Sequence, residues 1–131
     1  MILLDTHALV WSVLQSRRLS RTAASAIRRG RTGGGIGISA ITLWELASLF
    51  ARGQIQASGT IENSIQAMID TAGVSVHPLT PTVTALAAIF PEDYPRDPAD
   101  RLIGGTARAE GVPLVTGDER IRRSTLIKTI W

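Results

Sequence analysis

The chain contains no cysteine. That removes disulfide bonds and thiolate metal sites, and it fits a reducing compartment, with the cytoplasm as the default location. Histidine is nearly as scarce: His7 and His77 are the only two, and neither stands at a spacing that builds a zinc site. Lysine occurs once, at Lys128, and the aromatics number six. No apolar stretch approaches the length of a membrane span. The apolar run at the start is preceded by no basic residue, is interrupted by Asp5 and is followed by Arg17 and Arg18, so it does not read as a signal peptide. Acids are rare in the first part of the chain, where only Asp5 and Glu45 oppose seven arginines over residues 1–60. Residues 61–131 carry seven basic and nine acidic residues, so the formal charge of +3 is unevenly spread. Charge alone fits a solvated arginine-rich surface as well as a nucleic-acid footprint.

What remains is an ordinary globular composition, 44% hydrophobic and 19% charged. At 131 residues the chain is long enough for one hydrophobic core and too short for two, which predicts a single domain over residues 1–131. The apolar spacing predicts strands at MILL, IGIS, VSVHPL, PLVT and LIKTI. Helices are predicted at THALVWSVL, SRTAASAIRRG, AITLWELASLFARG, TIENSIQAMIDTAG, TPTVTALAAIF, DPADRLIGGTARAEG and GDERIRR. Ser20 reads as an N-cap, and Gly30, Gly53 and Gly73 read as stops. RTGGG reads as a flexible connection, because no Gly-Lys-Ser/Thr follows it and the next element is a strand. Strands alternating with helices, with no hairpin signal between them, imply a parallel sheet covered on both faces: a three-layer α/β/α sandwich.

In such a sheet, ligands gather outside the carboxyl ends of the strands, and Asp5 and Asp118 each follow a predicted strand. Taken alone, both read as N-caps, and Asp97 before Pro98 is a stronger cap still. Asp100, three residues on, suits a first helical turn. Glu45 differs, because Trp44 and Leu46 flank it while Ile41 and Leu49 neighbour it at helical spacing. An ionised carboxylate there costs several kcal/mol, roughly the penalty of an unpaired buried charge, unless a cation meets it. A hard, oxygen-seeking ion such as Mg²⁺ or Mn²⁺ would relieve the repulsion among gathered acids.

Four segments together resemble a known family. LLDTHALVW, ISAITLWELA, RDPADRLIGGTA and PLVTGDERI, in that order, are similar to the acidic segments of PIN-domain ribonucleases, specifically the VapC-like toxins of bacterial type II toxin–antitoxin systems. The resemblance implies a PIN-like fold and a metal-dependent endoribonuclease. It implies that Asp5, Glu45, Asp100 and Asp118 are the catalytic, Mg²⁺- or Mn²⁺-binding acids, with Asp97 a further candidate ligand. Thr6, Ser39 and Thr116 neighbour the acids and either orient them or serve as ordinary turn and cap hydroxyls. An RNA substrate, a cognate protein antitoxin, a homodimer and no membrane association are the partners expected. Gly104 and Gly105 depart from the pattern, each costing a helix roughly 1 kcal/mol relative to alanine.

Two other readings remain. A PIN-like module that binds RNA without cutting it would be signalled by loss of one acid, and none of the four is missing. A phosphoacceptor receiver domain wants an acidic pair after the first strand and a well-placed lysine, whereas Asp5 stands alone and Lys128 lies inside a strand. Arginines 17, 18, 21, 28, 29 and 31 are expected along the approach of the RNA backbone. Val10, Trp11 and Leu14 on one helix, and Leu43, Trp44, Ala47 and Phe50 on another, offer apolar surface for an antitoxin helix where they are not core.

Overall fold

A computed structural model describes residues 1–131. Five strands, β1 (Ile2–Leu4), β2 (Ile36–Ser39), β3 (Ser75–His77), β4 (Leu114–Val115) and β5 (Thr129–Ile130), form one sheet in the order β3-β2-β1-β4-β5. All four pairings are parallel. Between them run α1 (Thr6–Leu14), α2 (Arg21–Thr32), α3 (Ala40–Ala51), α4 (Ile61–Ala72), α5 (Pro81–Ala88), α6 (Pro98–Glu110) and α7 (Glu119–Arg122). The chain steps from β1 outward to β2 and β3, then returns to the other side of β1 for β4 and β5. That reversal puts the crevice of the sheet beside β1 and β4.

The central strands are apolar on both sides because both sides are covered. Leu3 and Leu114 join Phe90, Tyr94, Ile103, Ala107 and Ile121 on one face. Leu4, Ile36, Ile38 and Val115 meet Leu9, Ile27, Leu46, Phe50 and Met68 on the other. Leu3 and Leu4 are fully buried against opposite layers, each contributing about 2 kcal/mol of apolar burial. This is the three-layer α/β/α architecture that the alternation of strands and helices predicts.

Several local expectations need correction. Gly30 does not stop α2, which continues to Thr32. Its missing Cβ is what matters, since a methyl there would lie 2.8 Å from the Ile36 side chain, so helix and sheet edge pack directly. The connection accordingly shortens to Gly33–Gly35, and its Gly35 N–H donates to the Gly30 carbonyl at 2.9 Å. A 3-10 turn, Ser16–Arg18, separates α1 from α2 and carries two of the arginines. The final strand is only Thr129–Ile130. Phe50 is core and not part of an open face, whereas Trp44 is 67% exposed. The glycine pair of α6 serves close packing: a Cβ on Gly105 would sit 2.5 Å from the Val83 carbonyl oxygen, and one on Gly104 would collide with the Tyr94 hydroxyl. The helix gives up propensity there and gains an intimate crossing with α5 and the loop after it.

Candidate active site

Asp5 follows β1 directly and is the N-cap of α1, its Oδ1 accepting the Thr6 N–H at 2.8 Å. Its other oxygen, Oδ2, accepts the Thr116 hydroxyl at 2.8 Å, across 111 residues of chain. Only 4% of Asp5 is exposed. Parallel pairing of Leu4 with Val115 brings Asp5 level with Thr116, so the register of β1 and β4 fixes this contact. The Thr116 oxygen in turn accepts the Asp118 N–H at 3.1 Å. Asp118 therefore belongs to the same hydrogen-bonded chain as Asp5, as cap of α7 through the Arg120 N–H and as ion-pair partner of the Arg120 guanidinium at 3.6 Å.

Glu45 reaches the site from the middle of α3. The Thr6 hydroxyl donates to its Oε1, and Thr6 lies 3.0 Å from the hydroxyl of Thr42, one turn before Glu45 on the same helix. A hydroxyl has one proton, so with Thr6 donating to Glu45, Thr42 is the donor to Thr6. No lysine or arginine forms an ion pair with Glu45. Burial pushes its carboxyl above the usual range; the Thr6 hydrogen bond opposes the shift, and the charges of Asp5 and Asp97 add to it.

Asp100 lies in the first turn of α6, and its carboxyl is pushed up from 3.8 to about 7. Burial is the leading cause, followed by the negative charges of Asp5, Asp97, Glu45 and Asp118. The cation next to it in sequence, Arg101, is spent on the carbonyls of Pro95, Phe90 and Pro91. Asp97 is the N-cap of α6, accepting the Ala99 N–H at 2.8 Å and the Asp100 N–H at 3.4 Å. It is exposed, as expected of a cap, yet close enough for its charge to act on both Glu45 and Asp100.

Asp5, Glu45 and Asp100 line one cavity of about 470 Å³, together with His7, Trp11 and Arg18. Asp118 is not on that wall. Asp97 opens onto a neighbouring hollow shared with Thr6 and Glu45. The hydroxyls divide: Thr6 and Thr116 bond to carboxylates, whereas Ser39 caps α3 and accepts the Thr106 hydroxyl of α6 at 3.1 Å, bracing two helices instead. Sequence reasoning missed Thr42, fully buried one helical turn from Glu45, where the spacing was a usable signal. It also missed His7, whose Nε2 accepts the Gly117 N–H at 3.0 Å. That bond leaves the ring proton on Nδ1, 3.5 Å from Asp5 Oδ2.

Apart from His7 the donors gathered here are hard oxygens, and Asp5, Glu45, Asp97 and Asp100 carry no Lys or Arg partner, which suits a divalent cation of the Mg²⁺ or Mn²⁺ kind. No three of them are close enough to enclose an ion by themselves. Mg²⁺ commonly keeps several waters and takes one or two carboxylates, so an open set of this type fits it.

Comparison with known proteins gives consistent results. A family model described as the PIN domain matches residues 2–125. Ribonuclease VapC22 of Mycobacterium tuberculosis is 36% identical over 135 residues, spanning 99% of this chain and 98% of that protein. Among solved structures, a DNA-bound VapBC from Salmonella typhimurium superposes with a TM-score of 0.70 at 18% identity, covering 98% of this chain and 95% of the other. VapBC2 from Rickettsia felis, bound to a promoter DNA fragment, gives 0.69 at 17% identity, with 98% and 97% covered. At those identities the structures speak for the fold.

Proposed function

Since the chain belongs to the PIN-domain family, in company with a VapC ribonuclease, we propose that it is an endoribonuclease that hydrolyses RNA phosphodiester bonds with a divalent metal ion, and that it is the toxin of a toxin–antitoxin pair. The observation that carries the catalytic reading is the convergence of Asp5, Glu45 and Asp100, from three separate elements, on one cavity without a lysine or arginine partner.

One or two of Asp5, Glu45 and Asp100 would hold Mg²⁺ or Mn²⁺ directly and the rest through its waters, with Asp118 and Asp97 adding negative charge around them. The ion supplies a lowered pKa for bound water and neutralises charge on the phosphoryl oxygens. The protein's own part is orientation. Thr6 N–H and Thr116 hydroxyl fix both oxygens of Asp5, and the Thr42–Thr6–Glu45 relay fixes the glutamate. Burial and the neighbouring acids hold the Asp100 carboxyl up, and positive charge among them would relieve that shift. With four acids present, no side-chain nucleophile is required.

The antitoxin reading rests on the VapBC assemblies that share this fold. Of the apolar side chains on α1 and α3 expected to meet such a partner, Trp44 and Leu14 are the exposed ones. No helix of the chain is long and apolar enough to cross a membrane.

The decisive test compares wild type with Asp5→Asn on total RNA, with Mg²⁺, Mn²⁺ or chelator. Asn preserves the cap, so the variant should fold and lose more than about a hundredfold in cleavage, beyond the cost of losing an outer-sphere contact. A folded Asp5→Asn that cuts as well as wild type would refute the reading.

A further inference from the structure

We propose that Arg18 is the substrate-positioning residue of this site, holding an RNA phosphate at the mouth of the carboxylate cavity while the Trp11 ring holds Arg18. The inference rests on the ribonuclease reading above and adds to it the residue that grips the backbone.

Arg18 is the only lysine or arginine on the cavity wall. Its guanidinium carbon lies 4.2 Å from the centre of the Trp11 ring, and Nη1 donates to Gln15 Oε1 at 3.3 Å. It forms no ion pair, although three carboxylates line the same cavity. A guanidinium held over an aromatic face, across open space from a set of acids and bonded to none of them, leaves several donors for an anion. A phosphodiester fits both sides of that space, since its charge suits the guanidinium and its oxygens suit a cation held by the acids.

The platform is anchored to the catalytic edge. Trp11 packs against His7 at 4.9 Å and against Trp131 at 5.8 Å. Trp131 lies on Gly117, where a Cβ would come within 2.9 Å of the indole. His7 and Gly117 are joined by their own hydrogen bond and are the chain neighbours of Thr6 and Asp118. Arg18 is thus referenced, through rigid rings, to the strand ends that carry the acids. A planar guanidinium exploits such a face and an ammonium does so less well. The arginines at the far end of α2 have no such position: Arg29 borders Met1, Gly34 and Gly35 at the amino edge of the sheet.

The test measures binding of a short, fluorescent, mixed-sequence single-stranded RNA over a salt series, in the inactive Asp5→Asn background. Arg18→Ala should weaken binding about tenfold, the size of one charge-assisted contact, and reduce the log–log salt slope by about 0.7, one phosphate's share. Arg18→Lys should restore the slope without the full affinity. Trp11→Leu, which keeps the arginine and removes its support, should fall between. In the cleaving protein Arg18→Ala should raise KM more than it lowers kcat. Arg28→Ala/Arg29→Ala should leave binding within twofold. Unchanged affinity and slope in folded Arg18→Ala, with the wild type cutting RNA, overturns this inference alone and assigns Arg18 to solvent or to a protein partner. An Arg18-dependent slope in a protein that never cuts RNA overturns the ribonuclease reading and leaves the phosphate contact standing.

Discussion

The two edges of the same sheet are built from opposite materials. At the carboxyl edge Asp5 and Thr116 follow β1 and β4 and β2 ends in Ser39; all three are buried, Asp5 and Thr116 are bonded to each other, and Ser39 is bonded to Thr106 of α6. At the amino edge the chain offers Gly33–Gly35, the close-packed Gly30 and the arginines at the end of α2. One edge spends its residues on directed hydrogen bonds, the other on backbone proximity. Strands of only two to four residues separate them. The lesson is that a parallel sheet can concentrate chemistry at one rim while the other rim answers only to packing.

That contrast can be broken from either side. The largest effect should come from Thr116→Val, which removes the hydroxyl from Asp5 Oδ2 and leaves the Asp118 N–H without its acceptor. Cleavage should drop about 10- to 100-fold in steady-state assays, as for other outer-sphere contacts, with the fold retained by circular dichroism. A drop under twofold would mean that the edge does not depend on its network.

A smaller effect concerns pH. The folded pKa of Asp100 is raised, so its contribution to stability is complete below about 3.8 and is lost as pH rises through about 7. Metal-free protein should therefore melt at progressively lower temperature across that interval, and Asp100→Asn should flatten the dependence. Added Mg²⁺ should offset the loss near neutrality, since ionisation of Asp100 then favours binding. A metal-free melting temperature that rises from pH 5 to 7, or an Asp100→Asn profile identical to wild type, would contradict this account.

The smallest effect sharpens the comparison at the amino edge. Gly30→Ala gains roughly 1 kcal/mol of helix propensity and incurs about 1–3 kcal/mol of overpacking against Ile36. The net change should be about 1 kcal/mol destabilising in urea denaturation, with cleavage per folded molecule unchanged. Loss of cleavage without loss of stability would show that the rims are coupled.

Much of the architecture was legible because it repeats along the chain. Alternating strands and helices fixed the layers, and Asp5 stood out as one acid inside an apolar run. Glu45 was legible for the same reason, as a charge among Trp44, Leu46 and Leu49. What resisted reading was whatever depends on partners far away in sequence. Thr116 is legible as a neighbour of Asp118, but nothing local shows that its hydroxyl meets Asp5, and nothing near Gly117 announces that its N–H meets His7 or that Trp131 will lie upon it. Gly30, Gly104 and Gly105 misled because propensity is local while close approach is not. The arginines misled by proximity: six in one stretch suggested one surface, yet α2 carries part of the set to the opposite rim.

The contact between Asp5 and Thr116 also has a consequence for the order in which a ribosome delivers the parts. Asp5 and Glu45 are made before Asp100, Thr116 and Asp118, and β1 cannot complete its pairing until β4 arrives. At about 5–20 residues per second, several seconds pass between the first acid and the last. For much of that interval, from Glu45 to Asp97, the growing chain holds Asp5 and Glu45 without the residues that complete the set. The topology thus makes the site wait for β4, because the Asp5–Thr116 contact joins the residues that follow β1 and β4.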